Sequence, residues 1–208
     1  AVGDDLLFTN HWKDAKSVLY RLDPATMAVR AQIDLPQEAA HTSGLAFDGK
    51  DLWAVDYAVG HVYRIDPARS FAEGKVAVLG RYDTGLGGAS AGTVVRVDGV
   101  GYLAVSDFLH SCRTYLIPLE DVPSLAGDLP ERSWIAYDNG AFSQGLTWDG
   151  AYLYEAINNA GIDRVEIWDV ADALRRRDSS LVKHIGSISA PAPSVEDLAV
   201  RDGFLWTS

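Results

Sequence analysis

The chain carries one pattern four times: a short strand closed by Asp-Gly, then a second strand. The copies are Ser43-Gly-Leu-Ala-Phe-Asp-Gly with Leu52-Trp-Ala-Val-Asp, Thr93-Val-Val-Arg-Val-Asp-Gly with Leu103-Ala-Val-Ser-Asp, Gln144-Gly-Leu-Thr-Trp-Asp-Gly with Leu153-Tyr-Glu-Ala-Ile-Asn, and Glu196-Asp-Leu-Ala-Val-Arg-Asp-Gly with Leu205-Trp-Thr-Ser. Each reads as a hairpin, because Asp-Gly supplies the backbone that tight turns demand. Aligned on Leu45, Val95, Leu146 and Leu198, the copies are 50, 51 and 52 residues apart, and 55 residues lead from Leu198 through the termini to Leu45. A period of this length points to stacked or radial units, each too small to bury its own faces.

Third strands follow as Val18-Leu-Tyr-Arg-Leu-Asp-Pro, Val62-Tyr-Arg-Ile-Asp-Pro, Thr114-Tyr-Leu-Ile-Pro and Arg164-Val-Glu-Ile-Trp-Asp. Fourth strands start at Val29, Val76, Ser133 and Leu181. Pro donates no ladder hydrogen bond, so the Asp-Pro pairs are read as strand ends. Four antiparallel strands per unit make the blade of a β-propeller, in which radial packing covers the faces and leaves short edges. The fold expected is all-β, one domain over residues 1–208, with four blades and the terminal strands together completing one of them. Both Leu6-Leu-Phe-Thr-Asn and Phe204-Leu-Trp-Thr-Ser read as second strands, and this surplus leaves a five-bladed ring with some strands missing as the alternative. Two stretches, Leu119–Ala126 and Val170–Asp178, break the strand pattern and are expected to form helical turns.

The net charge of −11 opposes nucleic acid and anionic membrane as partners and suits cations. A lone Cys112 excludes an intrachain disulfide and a cysteine zinc site. No apolar run is long enough to span a bilayer. A monomer acting on a small molecule or peptide is expected, and the start at Ala1 without Met is compatible with a secreted or periplasmic protein.

In a propeller the inner strands line the axis, so their entry residues and the exits of the second strands share one mouth. Two positions before the aligned apolar residue stand Ser43, Thr93, Gln144 and Glu196, all polar. The second strands end in Asn10, Asp56, Asp107 and Asn158, all oxygen donors. With Glu196 these form a ligand set for a hard divalent cation such as calcium; the competing reading is that Asp and Asn merely cap turns there. His41 and His11 lie in loops that reach the mouth and could move protons. Gly88-Ala-Ser-Ala-Gly92 matches a nucleophile pattern but lies in an all-β context, and is read as a small-residue loop entering an inner strand. Trp53, Trp134, Trp148, Trp168 and Trp206 are expected to pack between blades.

The segment Phe142-Ser-Gln-Gly-Leu-Thr-Trp-Asp-Gly-Ala-Tyr-Leu-Tyr-Glu resembles the Thr-Gln-Gly-Leu … Leu-Tyr-Glu-Ser opening of the glutamine cyclotransferases of plants and bacteria, which are five-bladed propellers. That resemblance implies active-site roles for Gln144 and for Glu196, which stands in Val-Glu-Asp-Leu where the family has Gly-Glu-Gly-Leu. The pattern is also similar to the senescence-marker and gluconolactonase propellers, which implies a metal at the mouth held by Glu196, Asn158 and Asp107. Three functions follow as expectations: a calcium-assisted lactone or ester hydrolase with His41 or a carboxylate as base, a cyclotransferase in which Glu196 carries a proton and Gln144 orients the substrate, and a noncatalytic binding scaffold.

Overall fold

The computed structural model describes residues 6–10, 16–39, 41–108, 110–140, 142–158, 163–190 and 195–207. Within them the chain forms β1 (Leu6–Asn10), β2 (Val18–Leu22), β3 (Val29–Asp34), β4 (Thr42–Phe47), β5 (Leu52–Asp56), β6 (His61–Ile65), β7 (Val78–Asp83), β8 (Ala89–Val97), β9 (Val100–Asp107), β10 (Arg113–Pro118), β11 (Ile135–Asp138), β12 (Ser143–Trp148), β13 (Leu153–Ile157), β14 (Arg164–Asp169), β15 (Lys183–Ser189), β16 (Leu198–Arg201) and β17 (Phe204–Thr207). They pair as five antiparallel sheets: β1-β2-β3, β4-β5-β6-β7, β8-β9-β10-β11, β12-β13-β14-β15 and β16-β17. The chain is a β-propeller whose three middle blades have four strands each. The surplus strand seen in the sequence makes a fifth sheet, since β17 pairs with β16 and β1 pairs with β2. Of the two arrangements the repeat allows, the strand pairing matches the five-sheet one.

The core sits between sheets. Leu19 and Ile33 of the first sheet pack with Leu52, Ala54, Tyr63 and Ile65 of the second. Trp53, Val55 and Val62 of the second pack with Leu103, Val105, Tyr115 and Ile117 of the third. Every residue of β5 is buried, because the two-residue strand period sends Leu52 and Ala54 to one neighbour and Trp53 and Val55 to the other. The same logic joins Tyr102, Ala104 and Leu116 to Leu146 and Leu153, and Ala156 and Val165 to Val195 and Leu198. Trp53 is 1% exposed, whereas Trp206 at the equivalent place on β17 is 61% exposed. The packing role expected of Trp206 is therefore not realised: its side chain lines an open cleft where Trp53 is closed over by the next sheet.

Two turn geometries hide under the same Asp-Gly dipeptide. Asp98-Gly99 and Asp202-Gly203 form two-residue turns with both φ angles positive. Asp48 and Asp149 instead fold four-residue turns by accepting the backbone N–H groups two and three residues on. The β8/β9 hairpin has longer strands than the others, nine and eight residues, and the sequence alignment on Val95 is three residues out of step.

Helical turns form at Val122–Ser124 and, as α3, over Ala171–Arg176, as the broken strand pattern predicts. Two more, α1 (Pro67–Glu73) and α2 (Leu129–Arg132), precede α3 in the chain. The first carried a signal: Asp66 caps the Arg69 N–H at 2.9 Å, Pro67 opens the helix, and Gly74 closes it in the left-handed region. None of the helices is long and apolar enough to cross a membrane among the described residues.

Candidate functional site at the axial mouth

The inner strands lie side by side, β4 along β8, β8 along β12 and β12 along β16. Each of the first three has a β-bulge near its start, at Ser43, Ser90 and Gln144, where the register with the second strand skips one residue. A bulge turns one side chain out of the alternation. The residue structurally equivalent to Ser43 is thus Ser90, not Thr93, and Glu196 precedes β16 at the same step. The residue after each bulge is Gly44, Ala91 and Gly145, with Asp197 fourth. The strands approach closely here: a Cβ on Gly44 would stand 2.6 Å from Gly92 N, and one on Gly145 2.8 Å from Asp197 Cα. At Gly44 and Gly145 the neighbouring inner strand leaves no room for a Cβ, and at the equivalent step of β8 the small Ala91 is accommodated.

Two of the four polar residues stitch blades together. The Ser43 hydroxyl donates to the Ala89 carbonyl at 3.2 Å, and the buried Ser90 hydroxyl donates to the Ser143 carbonyl, the same position one blade further. Ser90 is consumed inside β8, which corrects the expectation of a loop at Gly88–Gly92 and removes the nucleophile pattern from consideration. Gln144 is half-buried and Glu196 exposed, and neither side chain has a hydrogen-bond partner among the described residues.

The oxygen donors after the second strands divide in the same way. Asp56 is fully buried and accepts from the His41 N–H at 2.9 Å and the Val59 N–H at 3.1 Å. Asp107, 1% exposed, accepts from the His110 and Ser111 N–H groups and from the Ser111 hydroxyl. Both carboxylates therefore cap their loops. Asn158 stands one position later than they do, since Asn158 N–H bonds the Phe142 carbonyl as Tyr57 N–H bonds that of His41 and Phe108 N–H that of Gly88. The Asn10 side chain and His11 lie outside the described residues. Among the described residues no three His, Cys, Asp or Glu side chains stand together as a metal site, and Asp56 and Asp107 have their oxygens engaged by backbone donors.

The mouth itself is aromatic. Its two residues per blade are His41 and Tyr57, Gly88 and Phe108, Phe142 and Asn158. The rings of His41 and Tyr57 are 4.9 Å apart, those of Tyr57 and Phe108 6.0 Å, and those of Phe108 and Phe142 5.4 Å. His110 joins them, its Nδ1 3.7 Å from Asp107 Oδ1, and it stands against Gly87 and Gly88. The sequence points to His41 as the proton-transfer group; at the mouth, the histidine ring beside a carboxylate is that of His110, four residues after the end of the Leu103 to Ser106 run.

A second unforeseen group is Glu155, the last residue of the quoted Leu-Tyr-Glu. It is fully buried between the third and fourth sheets and accepts from the Thr114 hydroxyl at 2.6 Å, the Tyr137 hydroxyl at 3.2 Å and the Asn139 amide at 3.2 Å. Burial pushes its carboxyl up against the lowering effect of these donors, and burial likewise raises the Tyr137 hydroxyl. Glu155 pairs across the hairpin with Leu146, so a protonatable group lies on the strand next to the one that carries Gln144, in the same sheet.

Between the last sheet and the first lies an apolar cleft of about 400 Å³, lined among others by Leu7, Leu22, Met27, Leu198 and Trp206. Asp197 faces it, at the one step of the series that no further inner strand follows among the described residues.

No protein-family model and no curated protein matches the sequence. Solved structures do: the glutaminyl cyclase of Myxococcus xanthus is similar at a TM-score of 0.60 and 14% identity, over 97% of this chain and 80% of that one. The hydrazine synthase of Kuenenia stuttgartiensis is similar at 0.56 and 16% identity, over 95% of this chain, which spans 49% of the length of that one. At these identities the likeness establishes the propeller fold and nothing finer.

Proposed function

We propose that the mouth cyclises an N-terminal glutamine, in the manner of a glutaminyl cyclase. The observation that carries this reading is that Gln144 and Glu196 leave adjacent inner strands at the same step, where the backbones touch, and are the two members of the polar series not spent on stitching blades. The likeness to a glutaminyl cyclase supports it at the level of fold.

In this reaction the substrate α-amine attacks its own γ-carboxamide carbon, a C–N bond forms, the bond to the amide nitrogen breaks, and ammonia leaves. A proton must travel from the attacking amine to the departing nitrogen. Glu196, exposed at the mouth, takes it and returns it, and an acidic mouth in a chain of net charge −11 draws in the substrate ammonium. Gln144 offers an amide donor and acceptor to hold the carboxamide in place. A metal-assisted hydrolase finds less support, because the Asp56 and Asp107 carboxylates already cap loops.

The test is incubation of the intact protein with glutaminyl peptides, following loss of ammonia by mass spectrometry. Turnover that falls at least a hundredfold in Glu196→Gln, with an unchanged melting curve, is expected; no turnover by the unmodified protein would overturn the reading.

A further inference from the structure

We infer that the row of rings His41, Tyr57, Phe108 and Phe142 is a ledge for the side chain that follows the glutamine of a peptide substrate, accepting aromatic and aliphatic residues there and rejecting acidic ones. The inference rests on the cyclisation reading and extends it to substrate selection.

The row is assembled from three blades at repeated rim positions, so it is not the interior of any one sheet. All four rings are half-buried, unlike Trp53 or Tyr63, which are enclosed between sheets. Successive rings are tilted by 50°, 75° and 86°; rings set edge to face present alternating edges and faces to a further aromatic group. Phe142 holds a φ of 60°, a region a bulky side chain avoids. Two backbone bonds fix it there, from its own N–H to the Phe108 carbonyl at 2.8 Å and from the Asn158 N–H to its carbonyl at 3.0 Å. Strain of this kind held in place by the surroundings concentrates at binding sites.

Position and charge select the occupant. Phe142 stands two residues before Gln144, so a chain whose first residue is held at Gln144 passes the row with its second. Asp107 lies under the middle of the row, within 3.6 Å of where a Gly88 Cβ would stand, and Glu196 stands at the same mouth. An acidic side chain on the ledge meets like charge in a poorly hydrated place.

Glutaminyl dipeptide amides with Phe, Leu, Ala or Glu second test this, with kcat/KM from mass spectrometry and binding of the matching pyroglutamyl products by calorimetry. Expected is a preference for Phe over Glu on the order of tenfold or more, carried by KM, that shrinks to within about threefold in Phe108→Ala. Should Phe108→Ala melt early, Tyr57→Leu at the neighbouring ring serves instead. Equal kcat/KM for all four peptides, or a preference untouched by the substitutions, would overturn the ledge and leave the cyclisation reading standing. Phe-selective product binding without turnover would sustain the ledge and sink the cyclisation reading; neither turnover nor selective binding would sink both.

Discussion

Replacing Glu155 separates two things that this buried carboxyl does: it accepts hydrogen bonds, and it titrates. Glu155→Leu removes the acceptor. Asn139 can still donate to Thr114 Oγ1 at 3.1 Å, but the Thr114 and Tyr137 hydroxyls lose the buried carboxylate that accepts from both, at about 1–3 kcal/mol each. A loss of about 4 kcal/mol, a large share of the stability of an ordinary domain, is the expected result. Glu155→Gln keeps the volume and one acceptor oxygen, and mimics the protonated acid. Because burial raises the carboxyl in the folded protein, the folded state holds this proton more firmly than the unfolded chain does. The stability it contributes is full below the unfolded value of 4.5 and is lost as pH climbs through the folded value. Urea unfolding of both proteins between pH 4.5 and 8 checks this: near pH 4.5 the wild type and Glu155→Gln should agree to within about 1 kcal/mol, and the variant should then gain on the wild type as pH rises. Each unit by which burial lifts the carboxyl appears as about 1.4 kcal/mol. Parallel pH profiles, or a wild type that gains on the variant, would refute the reasoning, since the carboxyl would then be ionised in the fold.

Three further outcomes follow from the packing of the inner strands. Gly145→Ala drives a Cβ against backbone atoms of Asp197 and Leu198 at 2.8 and 2.9 Å and should cost about 1–3 kcal/mol or more in thermal unfolding, while Gly186→Ala, with open space around it, should change stability by less than about 1 kcal/mol. Ser90→Ala leaves the Ser143 carbonyl without its donor inside the protein, and a loss of about 1–3 kcal/mol is expected in urea unfolding, more than for the half-buried Ser43→Ala. Millimolar calcium should leave the melting temperature unchanged, because Asp56 and Asp107 are engaged by backbone N–H groups; a rise of several degrees would restore the divalent-cation hydrolase.

The sequence by itself determined the class of fold. Strand periodicity and Asp-Gly turns are local, and a pattern repeated about every fifty residues constrains the architecture because one such sheet cannot bury both faces alone. Gln144 and Glu196, on which the proposed site rests, stand out in the sequence for the same reason, as polar interruptions of otherwise apolar inner strands. What only the tertiary structure decided is everything that depends on register. The bulges place Ser90, not Thr93, beside Ser43 and Gln144, and a one-residue offset puts Tyr57, Phe108 and Asn158 at the mouth with Asp56 and Asp107 capping below them. Strand length, which the Asp-Gly dipeptide leaves open, shifts one hairpin by three residues. Burial then gives identical residue types different work: Trp53 is enclosed and Trp206 exposed, and Glu155 reads as an ordinary strand carboxylate until Thr114, Tyr137 and Asn139 of the neighbouring blade close over it. Contacts between blades join residues tens of positions apart in the chain, and no local pattern encodes which side chain meets which.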